Sequence, residues 1–80
     1  MTKIRGECRE NAIGMLQSRP EFFIGERQFA NGDIGRYYIV DGKLWGAYSG
    51  GEVRRCDCPE EQAATLRVLK SSSKWKARAQ

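Results

Sequence analysis

Eighty residues allow one domain with a thin core and leave little volume for a deep enclosed active site, so a shallow working surface is expected. A content of 40% hydrophobic and 30% charged residues is too apolar for a disordered chain. The net charge of +4 is concentrated at the ends, with Lys74, Lys76 and Arg78 in a basic segment 71–80, whereas a dedicated nucleic-acid groove more often gathers its cations along one element.

In chain order, the opening MTKIRGECRE lacks the apolar core of a secretion signal, and no apolar run approaches the roughly 18 residues of a membrane span. A cytoplasmic protein with no membrane partner is the expectation. Cys8, Ala12 and Met15 or Leu16 recur at helical spacing between Glu7 and Gln17, and Pro20 blocks continuation. This segment reads as a short amphipathic helix. Phe22–Ala30 is ambiguous: Ser18 and Glu21 suit a capping box for a helix, but Phe22, Phe23, Ile24 and Phe29 suit a strand, and Asn31-Gly32 follows as a hairpin signal. The strand is the preferred reading.

Asp41-Gly42 is the most informative dipeptide. A two-residue turn there opposes Val40 to Lys43, Ile39 to Leu44, Tyr38 to Trp45, Tyr37 to Gly46, Arg36 to Ala47 and Gly35 to Tyr48. One face then carries Tyr37, Ile39, Leu44 and Tyr48, each tyrosine across from a glycine that leaves room for its ring. This is the expected core side. The other carries the Tyr38 and Trp45 pair beside Arg36 and Lys43. Extension through Gly50-Gly51 adds Val53 to the first face and Glu52, Arg54 and Cys56 to the second. PEEQAATLRVLK reads as a second helix, with proline in its first turn, Glu60 and Glu61 near its N-terminus, Arg67 and Lys70 towards its C-terminus, and Ala63, Leu66 and Leu69 facing the sheet. Trp75 is expected to tie down the segment that follows.

The three cysteines, Cys8, Cys56 and Cys58, form an odd set outside any disulfide framework, and in a chain with no histidine only Asp57 or a second subunit could supply the fourth ligand of a structural zinc. No metal or cofactor is expected. The fold class is α+β: an N-terminal helix, an antiparallel meander of three or four strands, and a C-terminal helix on the same sheet face. The face left free is the candidate binding surface or oligomer interface, through Arg36, Tyr38, Lys43, Trp45 and Arg54, supplemented by Lys74, Trp75 and Lys76.

Three function classes compete for it. An enzyme would need a carboxylate or thiolate as general base, and no carboxylate pair is fixed near a nucleophile by its spacing. Small ribosome-dependent ribonuclease toxins resemble the chain in length, charge and antiparallel strands such as RYYIVDGKLWGAY, although they usually place their helices ahead of most of the sheet. Direct DNA or RNA binding would stack bases on Tyr38 and Trp45 while Arg36, Lys43 and Arg54 hold phosphates. The third class blocks a partner by occupying its surface, using the tyrosine, tryptophan and arginine types enriched at binding hot spots. In size and layout the chain resembles small phage-encoded inhibitors of bacterial defence, of the anti-CRISPR type. That resemblance covers the general plan and carries over no residue. It implies a non-catalytic protein, monomeric or a small homo-oligomer, whose partner is a bacterial protein or nucleoprotein complex.

Overall fold

The computed structural model describes residues 1–78. In chain order the elements are β1 (Thr2–Ile4), α1 (Glu7–Gln17), a 3-10 turn (Pro20–Phe22), β2 (Phe23–Gln28), β3 (Ile34–Val40), β4 (Lys43–Tyr48), β5 (Val53–Cys56), α2 (Pro59–Ser71) and β6 (Trp75–Ala77). The strands form one antiparallel sheet in the order β1-β5-β4-β3-β2-β6. No helix among the described residues is long and apolar enough to cross a membrane.

Asp41 and Gly42 both adopt positive φ, 52° and 76°, as a hairpin turn matched to strand twist requires. The β3–β4 pairs follow from it as expected, from Val40 opposite Lys43 to Gly35 opposite Tyr48. Phe22–Ala30 resolves mainly as strand β2, entered through the 3-10 turn that Pro20 starts. Six strands replace the three or four expected, because each end of the chain adds an edge. Thr2–Ile4 pairs with β5, and Trp75–Ala77 pairs with β2. The supposed basic tail is therefore a sheet edge as far as Ala77, and residues 79–80 of it lie outside the described residues.

The helices do not share a face. Ala12 and Leu16 of α1 are buried with Tyr38, Val40 and Val53, whereas Leu69 of α2 is buried with Tyr37, Leu44 and Cys56. β3 is apolar on both faces, with Tyr37 and Tyr38 both buried, and the β4–β5 connection divides the β5 side chains to match. Tyr48 N donates to Glu52 O at 2.8 Å, so the loop holds Ser49, Gly50 and Gly51, with Gly51 at φ 93°, instead of two glycines alone. Ala47 then opposes Val53, and Gly46 opposes Arg54. One extra loop residue moves every β5 side chain to the other face. Val53 therefore packs under α1, and Arg54 and Cys56 lie on the α2 face, the reverse of the expectation.

Two details of helix packing also differ. Cys8 is exposed in the first turn of α1, although it shares a stripe with Ala12 and Leu16, at which burial begins. In α2, Ala63 is exposed while Gln62 turns inward and its Oε1 accepts a hydrogen bond from Leu44 N at 3.2 Å. The inward face is thus Gln62, Thr65, Leu66 and Leu69, which keeps the i, i+3, i+4, i+7 spacing with a different origin.

The α2 side of the core is organised around Tyr37. Its ring meets Tyr48 edge-on at 6.0 Å and Trp75 at 5.9 Å, and its hydroxyl donates to Tyr48 Oη at 3.2 Å. A Cβ on Gly46 would lie 3.1 Å from both tyrosines, and one on Gly35 would lie 2.8 Å from the Tyr37 hydroxyl. The cross-strand glycines do make the room that the sequence assigned them. Burial first, and the Tyr48 bond second, push the Tyr37 phenol well above its usual range. A folded-state value raised above the unfolded one of about 10 gives stability that is full below that pH and lost as pH rises beyond it. In an alkaline titration followed by tyrosinate absorbance, Tyr37 is expected to ionise only as the chain unfolds, and Tyr37→Phe to remove that late step. Ionisation of all tyrosines near pH 10 with the fold intact would contradict this assignment.

Candidate functional site

The alternation of β3 sends Ile34, Arg36 and Tyr38 to the α1 face. Tyr38 is only 5% exposed: it lies under α1, with Phe23 edge-on at 5.4 Å. It cannot offer a ring face to a base. Arg36 is half exposed, rests on the Phe23 ring at 4.5 Å, and pairs with Glu26 across β2 at 3.6 Å. α1 ends before the sheet does, which leaves a groove of about 480 Å³ between its last turns and the strands. Ile13, Leu16, Ala47 and Val53 give it apolar walls, and Glu26, Ile34 and Arg36 stand along it. Ile34, at 40%, and Val68, at 62%, are the large hydrophobic side chains left exposed among the described residues.

The other expected site residues divide among three places. Trp45 is half-buried against the α1 cluster, and the Arg55 guanidinium lies 5.3 Å over its ring. Arg55 in turn is held by Asp57 at 2.6 Å, and Lys43 approaches the same carboxylate at 3.7 Å. The Arg55 hydrogen bonds keep the Asp57 carboxyl below its usual range. Lys43 and Trp45 thus belong to a local charge network at the Asp41-Gly42 end of the hairpin. Arg54 leaves the expected surface altogether: on the α2 face it holds Glu52 through two hydrogen bonds of 3.0 and 3.3 Å, which keep that carboxyl low.

Trp75 also points to the α2 face, where it packs on Tyr37, so it is a structural wedge and not a free contact. Lys74 and Lys76 remain exposed and line a smaller depression, about 240 Å³, with Glu26, Gln28 and Ile34. Arg36, Lys74 and Lys76 are consequently brought together on one side, while Tyr38, Trp45, Arg54 and Trp75 are not part of that exposed set. Ile34 was not singled out in the sequence, although its spacing of two from Arg36 and four from Tyr38 placed it on the same face.

Of the cysteines, Cys56 is buried and burial raises its thiol pKa, while Cys8 and Cys58 are exposed on different helices' ends. Among the described residues no group of three or more Cys, Asp or Glu side chains could hold a metal ion. The chain matches no protein-family model, no curated protein and no solved structure.

Proposed function

We propose that the protein is a non-catalytic binding protein that blocks a macromolecular partner by occupying its surface, through the groove beside α1. The observation that carries this reading is the exposed Ile34 beside apolar walls with Arg36 and Glu26 along the edge. An apolar centre with a rim of both charge signs suits a protein surface better than a phosphate backbone. Arginine supplies the hot-spot chemistry, and Ile34 supplies area that leaves water on binding. An inhibitor of a bacterial protein or nucleoprotein complex, of the anti-CRISPR type, is the specific form of the proposal.

Nucleic-acid binding is the second reading, favoured by the convergence of Arg36, Lys74 and Lys76 on one side of the sheet edge. Burial of Tyr38 removes the stacking platform that this reading relied on. A pulldown from bacterial lysate, with and without nuclease, separates the two. The proposal predicts that one protein complex is retained after nuclease treatment. Loss of all bound material on nuclease treatment, with capture that falls steeply as salt rises, would replace it with the nucleic-acid reading.

A further inference from the structure

The opposite face carries a second groove, of about 370 Å³, between α2 and the strands. Its walls include Met1, Arg27, Phe29, Tyr37, Val68 and Leu69, and among the described residues no acidic side chain lines it. Four arginines lie in the strands of the sheet: Arg27, Arg36, Arg54 and Arg55. Three of them have a carboxylate oxygen within 3.6 Å. Arg27 has none among the described residues, and its Nε is buried without a hydrogen-bond partner.

The Arg27 guanidinium is thus a cation on the wall of this groove that no carboxylate among the described residues neutralises, and hydrogen bonds to a charged donor are the stronger ones, so it has the most to gain on this face from an incoming carboxylate. Its guanidinium lies 4.8 Å from the Phe29 ring centre, a contact that holds its plane in place. Val68, the most exposed large apolar side chain, stands on the same groove. Cation, fixed orientation and exposed aliphatic surface therefore occur together, with no acidic side chain among the described lining residues.

We propose that this groove docks an acidic segment of a partner protein in which an aspartate or glutamate side chain neighbours an aliphatic residue, the carboxylate accepting from Arg27 and the aliphatic group covering Val68. A phosphate backbone is a poor fit, because the other cation on the groove, the Met1 ammonium, is already held by Glu61 at 2.8 Å and the remaining walls are mostly apolar. The site lies across the sheet from Ile34 and Arg36, so it stands or falls independently of the function proposed above.

The test is an NMR titration of the full chain with two acetylated, amidated tripeptides, leucine–aspartate–leucine and leucine–asparagine–leucine. The aspartate peptide is expected to shift the Arg27 Nε–Hε signal and the Val68 methyl signals saturably. The asparagine peptide should bind about tenfold more weakly, since it offers no charge to the guanidinium. Because Arg27 is packed on Phe29, the companion variant is Val68→Asp, at a 62% exposed helix position, which adds a like charge to the groove and should abolish the aspartate response. Equal affinity for the two peptides, no saturable shift at Arg27 and Val68, an undiminished response in Val68→Asp, or the same shifts from sodium acetate alone would each overturn the proposal.

Discussion

Tyr37→Ala is expected to cost about 3–5 kcal/mol of folding stability, the range for truncating a large aromatic in a core. Tyr37 is 1% exposed and is the shared neighbour of Tyr48, Trp75 and the Leu44 and Leu69 cluster. Its removal leaves a cavity that two cross-strand glycines cannot fill, since Gly35 and Gly46 have no side chains to move into it. A chain of this length has a total stability of roughly 4–12 kcal/mol, so the variant should sit near the edge of folding at room temperature. Tyr37→Phe is the control: it loses the Tyr48 hydrogen bond but keeps the ring, at about 1 kcal/mol. Urea melts of the three proteins measure both values. A Tyr37→Ala midpoint no lower than that of Tyr37→Phe would show that the aromatic cluster does not organise the α2 side.

Gly25→Ala is the second large effect, and it acts through close approach. A Cβ at Gly25 would collide with the Trp75 ring and lie 2.7 Å from the backbone oxygen of Lys76. Neither can yield cheaply, because Trp75 is held against Tyr37 and the Lys76 carbonyl belongs to the β2–β6 ladder. The expected outcome is that β6 lifts off β2. Arg78 N, which donates to Ile24 O at 3.0 Å, should lose its protection against hydrogen exchange, and Trp75 fluorescence should shift to the red. The cost is about 1–3 kcal/mol, the usual range for overpacking, and confined to that edge. Retained protection at Arg78 would mean that Trp75 has another place to go. The same contacts explain why residues 74–78 cannot be treated as a detachable charged tail.

The parts of this fold that were legible in the sequence are those fixed by local chemistry. Asp41-Gly42 demands one turn type, so the register of β3 on β4 followed, and with it the pairing of each tyrosine with a glycine. Pro59, Glu60 and Glu61 mark the start of α2 for equally local reasons. The edges were not legible, because three residues such as Thr2–Ile4 or Trp75–Ala77 carry too little alternation to identify a strand and form only through partners far along the chain. Gly50-Gly51 misled for a different reason: a dipeptide does not say whether Ser49 joins the loop, and that one residue decides which face Val53 and Arg54 occupy. Val53 packs under α1 and Cys56 under α2, so each helix has its own core on its own face. The uncovered platform shrank to the part of the α1 face that the helix does not reach, where Arg36 was anticipated and Ile34 was not.

Binding through that remaining surface is the central claim, and the variant Ile34→Asp with Arg36→Ala tests it most directly. Both side chains are at least two-fifths exposed, so circular dichroism and the melting curve should show a folded protein. Partner capture, assayed on the same sample, should fall by about 30-fold or more, the loss expected when hot-spot contacts worth at least about 2 kcal/mol are removed. A folded double variant that captures its partner as well as the parent protein does would contradict the claim and exclude the α1-side groove as the working surface.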